Sequence, residues 1–337
     1  MQIKPKEAAS FIVDCIKAKL VCMLHGSPGI GKSDIVRQIA DAFGLHMIDV
    51  RLSQCDPVDL NGFPSIKNGT ATYVPMNVFP LEDTVIPKDK CGFLLFLDEF
   101  NSASLATQAA SYKIILDRMV GQHKLHPNTA IVCAGNMAGN NAIVNRLSTA
   151  MQSRLVHFEL TTDIEQWLEW ATRNNIDYRV TGYLNSRPDN LLKFDANHND
   201  KTFACPRTWQ FVSKLIKDSP GVLGSKLPLL AGAISEGIAR EFIAYTNTYE
   251  KLPTIDQIIQ NPKTTKIDTE PCLLYAISYM VSAHAKVSNL DQLFKFINRL
   301  PIEFATITCQ NMLFRDAALI KEQPFKQWID IKGDLLF

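Results

Sequence analysis

One stretch of the chain has residue types and spacing that suit phosphate binding. It reads Gly26-Ser27-Pro28-Gly29-Ile30-Gly31-Lys32-Ser33, of the form G-x-x-x-x-G-K-S, and Asp34 follows it. Its glycines leave backbone N–H groups free to point into a concavity, and a following helix adds its N-terminal dipole. Lys32 would reach the outer phosphates as a point charge, and the Ser33 hydroxyl would ligate Mg²⁺. We therefore predict that residues 26–34 bind ATP or GTP.

Polar residues also follow two apolar runs that are predicted to be buried strands. Asp98 and Glu99 follow residues 93–97, and Asn136 comes shortly after residues 130–134. In an open parallel sheet ligands bind at the carboxyl ends of the strands, so these side chains are expected near the phosphate loop. We expect Asp98 to hold Mg²⁺, usually through water, and Glu99 to orient and polarise the attacking water. Asn136 is expected to hydrogen-bond the γ-phosphate or the same water.

Two arginines are candidates for stabilising the negative charge that develops on the γ-phosphoryl group. Arg154 precedes the apolar run 155–160, and Arg207 lies in Cys205-Pro206-Arg207-Thr208-Trp209. An arginine supplied to such a site can increase the rate of phosphoryl transfer by several orders of magnitude. Arg146 competes with Arg154, and their spacing alone does not separate them. Whether Arg207 would act on its own subunit's nucleotide or on a neighbour's also stays open.

The elements that must position these residues form an α/β pattern up to about residue 161. In chain order the predicted elements are helix 5–19, strand 20–25, a helix after the phosphate loop, strand 46–52, hairpin 65–73, strand 93–97, helix 103–119, a hairpin at 120–125, and strands 130–134 and 155–160. The strand at 93–97 is apolar at every position, as central parallel strands are. Asn68-Gly69 between two β-prone runs is a strong hairpin signal.

Helical spacing predicts which faces of two helices are buried. In the helix after the phosphate loop, Ile35, Ile39 and Phe43 are spaced four apart. In helix 103–119 the residues expected inward are Leu105, Ala109, Tyr112, Ile115 and Leu116.

From Thr162 onward the apolar residues recur with the spacing of α-helices. Thr162 and Glu165 form a plausible capping box, and further helices are predicted at 207–217, 227–247, 272–286, 290–299 and within 310–331. The predicted fold is therefore an α/β nucleotide-binding domain over residues 1–161, with a parallel sheet flanked by helices, followed by an all-helical lid and C-terminal domain over residues 162–337.

The charge, the cysteines and the apolar runs of the sequence indicate which classes of protein it can belong to. The 35 basic and 34 acidic residues give a net charge of +1, so no global positive charge favours non-specific nucleic-acid binding. The eight cysteines are scattered without C-x-x-C spacing, which favours a reducing compartment over a disulfide framework and argues against zinc. Charged residues interrupt the N-terminal apolar residues, and no run approaches a membrane span. We expect a cytoplasmic protein with no membrane contact.

Taken together, these motifs resemble those of an AAA+ ATPase. Residues 26–33 match Walker A, residues 93–99 match Walker B, and Asn136 matches sensor 1. Arg154 resembles the arginine finger, and Arg207 resembles sensor 2. Within the superfamily the chain is most similar to the MoxR-like group of bacteria and their phages. That similarity rests on Asp98-Glu99-Phe100-Asn101 followed by Gln108-Ala109-Ala110, and on the positions of the two predicted hairpins.

The resemblance implies an ATP phosphohydrolase that uses ATP and Mg²⁺ and forms a hexameric ring with its active sites between neighbouring subunits. It also implies remodelling of a protein client, often with a partner that carries a von Willebrand factor A domain. Two alternatives stay open: a nucleic-acid motor or loader, which Arg118, His123 and Lys124 near the second hairpin would suit, and a nucleotide-gated assembly scaffold.

The hairpin at 65–73 is expected to contact the client or partner protein. Its tip, Lys67-Asn68-Gly69-Thr70, is polar, and Ile66 and Tyr73 are expected to anchor its base, because an isolated two-stranded hairpin is marginal in water. One lysine at the tip is too little charge for a groove that tracks phosphates. The alternative is a hairpin that packs its apolar side on the sheet.

Overall fold

The computed structural model describes residues 1–137, 144–195, 200–219, 221 and 223–332. They form two compact units. The first is Met1–Thr162 with the short segment that begins at Asp195, and the second is Asp163–Phe194 with the described residues from 200 onward. Each unit has its own hydrophobic core.

The first unit contains ten strands and five α-helices among the residues described. The strands are β1 Gln2–Ile3, β2 Cys22–His25, β3 Leu45–Arg51, β4 Phe63–Lys67, β5 Thr70–Val74, β6 Gly92–Asp98, β7 Met119–Val120, β8 His123–Lys124, β9 Thr129–Gly135 and β10 Val156–Leu160. The helices are α1 Pro5–Lys17, α2 Lys32–Ala42, α3 Pro57–Asn61, α4 Leu105–Leu116 and α5 Thr149–Gln152.

Six of the strands form one parallel sheet in the order β1-β10-β2-β9-β6-β3. The interior strand β6, between β9 and β3, is buried from Gly92 to Leu97, as its unbroken apolar sequence predicts. Strands β2, β9 and β6 are neighbours and run the same way, so their carboxyl ends meet at one edge. The predicted α/β fold, a parallel sheet with helices packed on it, is confirmed.

Two antiparallel hairpins lie outside the sheet. Strands β4 and β5 pair from Phe63↔Val74 to Lys67↔Thr70, and β7 pairs with β8. Asn68 and Gly69 in the first turn both have positive φ, 52° and 76°, as a two-residue hairpin turn requires. The hairpins touch, because His123 Nε2 lies 3.1 Å from the Tyr73 carbonyl oxygen.

The predicted anchoring role of Ile66 is wrong. Its side chain is 82% exposed, and Tyr73 is 45% exposed. The hairpin base is held instead through backbone, with the His123 ring at the Tyr73 carbonyl and Gly121 packed against the Asn61 carbonyl. A β-carbon at Gly121 would lie only 2.2 Å from that carbonyl oxygen, so this approach requires glycine.

The predicted inward face of helix α4 is correct in part: Ile115 is buried and Tyr112 packs against the core, but Ala109 is exposed. Leu105 and Leu116 are 66% and 42% exposed, whereas the buried residues include Thr107 and Gln108. Thr107 Oγ1 donates to the Cys55 carbonyl (2.9 Å), and Gln108 Nε2 donates to the Ala103 carbonyl (3.1 Å). These polar side chains can be buried because each has a hydrogen-bond acceptor.

Phe43 departs from the sequence prediction in a similar way. Ile35 and Ile39 are buried as predicted, but Phe43 is 49% exposed. It is the C-cap residue of α2, and its N–H still donates to the Ile39 carbonyl (3.0 Å), so it lies at the end of the helix and not outside the helical spacing.

The described part of the second unit is helical. Its α-helices are α6 Ile164–Arg173, α7 Tyr178–Ser186, α8 Pro206–Ile216, α9 Leu227–Ile234, α10 Glu236–Thr246, α11 Ile255–Gln260, α12 Pro271–Ala283, α13 Leu290–Ile297, α14 Ile302–Arg315 and α15 Gln323–Lys332. The single helix predicted at 227–247 is two helices that meet at Ser235, whose φ is 73°. Helix α6 is capped by Asp163, which accepts from the Gln166 N–H, and not by Thr162.

No helix in the described ranges is both long and apolar enough to cross a membrane.

Candidate active site

The phosphate loop joins the end of β2 to the start of α2. Gly29 and Gly31 have φ of 76° and 99°, which residues with a side chain rarely adopt. Gly26 packs against backbone, since a β-carbon there would lie 3.2 Å from the Leu160 carbonyl oxygen. The Gly26 N–H donates to the Gly135 carbonyl at the end of β9 (3.3 Å), which ties the loop to the neighbouring strand. The first N–H groups of α2 have no intrahelical acceptor and suit an anion.

Lys32 is buried, with 9% of its surface exposed. Its Nζ donates to the Gly26 carbonyl (2.7 Å), to the Ser27 carbonyl (3.1 Å) and to Asn136 Oδ1 (3.4 Å). A buried ammonium requires such acceptors, because removing the charge from water is otherwise costly. The loop lysine and the asparagine after β9 therefore meet, as their positions at neighbouring strand ends predict.

The two residues predicted to serve magnesium are in contact. Ser33 Oγ donates to Asp98 Oδ2 at 3.0 Å. A hydroxyl and a carboxylate are the hard oxygen ligands that Mg²⁺ takes, so these residues fit the ion. Sequence reasoning missed the Asp49 carboxylate on β3, which lies close enough to Asp98 to interact with its charge. Partial burial raises the pKa of Asp49, and the negative charge of Asp98 raises it further.

Glu99 has a backbone conformation that is unusual for a residue with a side chain. Its φ and ψ are 54° and 33°, and its N–H donates to Asp98 Oδ1 (2.8 Å). The Ser53 hydroxyl donates to the Glu99 carboxylate. Sequence reasoning missed Ser53, since it lies 46 positions earlier and in no motif. It holds the carboxylate that is predicted to orient water.

Asn101 holds the backbone of Asn136 from both sides. Its Nδ2 donates to the Asn136 carbonyl (2.7 Å), and its Oδ1 accepts from the Asn136 N–H (3.0 Å). Asn101 is only 4% exposed, and a β-carbon at the adjacent Gly135 would lie 2.2 Å from its Oδ1. Asn101 therefore positions Asn136. The sequence signal was its place directly after the Asp98-Glu99 strand end.

The predicted arginines are all exposed. Arg154 follows α5, and its Nη1 donates to the Ala150 carbonyl (2.7 Å). Within the residues described, neither Arg154 nor Arg146 is hydrogen-bonded to the group formed by Lys32 and its partners. Arg207 belongs to the second unit, in the first turn of α8. The roles of these three arginines stay predictions.

A comparison with known families identifies the first unit. Residues 22–160 match the family described as the ATPase family associated with various cellular activities (AAA). The chain carries an AAA ATPase domain. The matched range contains the phosphate loop, the Asp98-Glu99 strand end, Asn136 and Arg154. The AAA domain is thus a nucleotide-binding enzyme domain with ATPase activity.

Solved structures give a weaker likeness. A Cytophaga hutchinsonii protein provisionally described as an ATPase is 17% identical over 96% of this chain and 87% of its own, with a TM-score of 0.39. The Thermotoga maritima RuvB Holliday junction branch migration motor is 16% identical over 77% and 75%, with a TM-score of 0.36. NtrX from Brucella abortus is 14% identical over 96% and 67%, with a TM-score of 0.36. Such low scores add nothing to the functional assignment. No curated protein matches the sequence.

Proposed function

We propose that this chain is a cytoplasmic, Mg²⁺-dependent AAA+ motor of the MoxR-like type found in bacteria and phages. Its subunits form a head-to-tail ring, with six as the expected number, and hydrolysis of ATP remodels or activates a protein client. The observation that carries the proposal is the contact of Lys32 with Asn136 and of Ser33 with Asp98 at the carboxyl edge of one parallel sheet.

The roles of the residues follow from this placement. Residues 26–34 bind the phosphates, and Lys32 shifts from the loop carbonyls to the more strongly charged phosphate oxygens. Ser33 and Asp98 would hold Mg²⁺, which would neutralise charge on the phosphates. Glu99 accepts a proton from the attacking water, and Asn136 holds the γ-phosphate or that water in place.

Arg154 is proposed to act on the nucleotide of the neighbouring subunit. It is exposed, and its subunit's own Lys32 group has no hydrogen bond to it in the described ranges. A finger supplied in this way requires a heterologous interface, which closes into a ring when its rotation permits. Arg207 is the second proposed cation, from the helical unit.

Mixing two inactive variants tests this arrangement. Arg154→Ala subunits keep the phosphate loop, and Lys32→Ala subunits keep the finger. Mixed rings should regain ATPase activity, because some interfaces combine an intact loop with an intact finger. The measurement is turnover against mixing ratio, with each variant alone as the baseline. No recovery at any ratio would exclude Arg154, and the same experiment with Arg146→Ala would then identify its competitor.

The β4–β5 hairpin is proposed as the contact with the protein client, or with a von Willebrand factor A domain partner. The residue pairing places Pro64, Ile66, Ala71 and Tyr73 on one face, and all four are exposed. An apolar face open to solvent suits a protein surface better than nucleic acid. The side chain of Lys67 at the tip lies outside what the structure describes.

Replacing residues 67–70 with a shorter turn tests the hairpin. ATP binding and ring assembly should be unchanged. Stimulation of turnover by the partner should be lost, because the turn at Asn68 and Gly69 sets the pairing of the two strands that present the exposed apolar face. Turnover is measured with and without partner and with and without DNA. Loss of assembly would make the hairpin an inter-subunit element, and loss of DNA-stimulated turnover alone would favour a nucleic-acid motor.

A further inference from the structure

Two histidines connect the phosphate-loop strand to the helix that precedes Arg154. His25 is the last residue of β2, directly before Gly26, and His157 lies on the neighbouring strand β10. Nε2 of His25 is 3.0 Å from Nδ1 of His157, and the rings stack with centroids 5.2 Å apart. Nε2 of His157 is 3.0 Å from the carbonyl oxygen of Gln152, the last residue of α5.

Donors and acceptors in the hydrogen bonds from His25 to His157 to Gln152 can be assigned from the carbonyl at the end. A backbone carbonyl only accepts, so Nε2 of His157 carries a proton and, in the neutral ring, Nδ1 accepts. His25 must then donate from Nε2. Burial lowers the pKa of His25, and the charges of His157 and Lys32 lower it further, while Glu159 on β10 opposes them. The lowered pKa favours the neutral form of His25.

The hydrogen bonds of the two histidines reach the C-terminal end of the short helix α5. The last carbonyls of a helix lack intrahelical donors. His157 supplies one to Gln152, and the Arg154 guanidinium supplies one to Ala150. Gln152 Nε2 adds a contact to the Leu147 carbonyl at 2.8 Å. His157 therefore contacts the residue two positions before Arg154.

We propose that His25 and His157 couple the phosphate loop of each subunit to the placement of that subunit's Arg154, which makes His157 a positioning residue for the finger. The inference rests on the proposed function, in which Arg154 acts on the neighbour's nucleotide. Lys32 Nζ bonds to the Gly26 carbonyl, one residue from His25. When phosphate draws Lys32 away, the backbone at Gly26 relaxes and His25 passes the change to His157 and α5.

Mixed rings separate this role from a structural one. Arg154→Ala subunits donate the loop, and Glu99→Gln subunits donate the finger while still binding ATP, so productive sites form only between the two kinds. His157→Phe keeps a stacking ring but loses both hydrogen bonds. Placed on the finger donor, it should lower the recovered kcat about tenfold with KM for ATP unchanged, since a misplaced catalytic group costs rate. Placed on the loop donor, it should change kcat by less than about twofold.

Three controls make the outcomes distinct. His46→Phe, a matched change on edge strand β3 of the same sheet, should have no effect on either donor. His25→Phe breaks the first link and should reproduce the finger-donor effect, with no further loss in the double variant. An equal loss on both donors, or none on the finger donor, would overturn the coupling. Absence of recovery in the unmodified mixture would instead overturn the proposed function on which it rests.

Discussion

Glu99→Gln is expected to bind ATP and Mg²⁺ but to hydrolyse ATP at least about a hundredfold more slowly, the usual contribution of a positioned general base. The amide keeps the shape of the carboxylate and loses its basicity. Its neighbours Asp98 and Ser33 are unchanged, so nucleotide binding should persist. The measurement is kcat at saturating ATP beside the Kd of a fluorescent ATP analogue.

Two further variants rank the residues around Glu99. Ser53→Ala keeps the carboxylate but removes the hydroxyl that bonds to it, so its loss of turnover should be smaller. Asn136→Ala removes a hydrogen bond and no charge, so its loss of turnover should also be smaller than that of Glu99→Gln. Turnover of Glu99→Gln within a few-fold of wild type would show that another residue positions the water. A larger loss for Asn136→Ala would reverse the ranking.

Lys32→Ala is expected to lose most of its ATP affinity while the AAA domain stays folded. A charge-assisted hydrogen bond contributes about 1.5–3 kcal/mol, so removing the ammonium that faces the phosphates should weaken binding on the order of a hundredfold. The carbonyls of Gly26 and Ser27 lose the Lys32 donor in this variant, so folding has to be checked beside binding. Binding is measured by calorimetry, and folding by circular dichroism and Tm.

The matched control is Lys88→Ala, since Lys88 is an exposed lysine in a loop of the same unit. It removes one positive charge away from the phosphate loop and should leave ATP affinity unchanged. Unchanged ATP affinity in Lys32→Ala itself would contradict the assignment of residues 26–34 as the phosphate site.

The sequence predicted most elements of the AAA domain because their signals are local. The unbroken apolar run of β6, the Asn68-Gly69 turn and the glycine pattern of the phosphate loop each depend on neighbouring residues alone. Local signals failed where burial depended on distant partners. Leu105 was expected inward, but α4 buries Thr107, because the carbonyl of Cys55, 52 positions earlier, lies there to accept its hydrogen bond.

By itself the sequence determined a phosphate loop between a strand and a helix, acidic residues at one strand end and an asparagine at another. Only the tertiary structure decided which residues support them. Ser53 is hydrogen-bonded to Glu99, Asn101 to Asn136, and His157 to His25. Each pair joins residues at least 35 positions apart. Their contact follows from the strand order β1-β10-β2-β9-β6-β3, which makes neighbours of segments that are remote along the chain. Periodicity within a segment carries no information about that order, because it reports only which side of an element is buried.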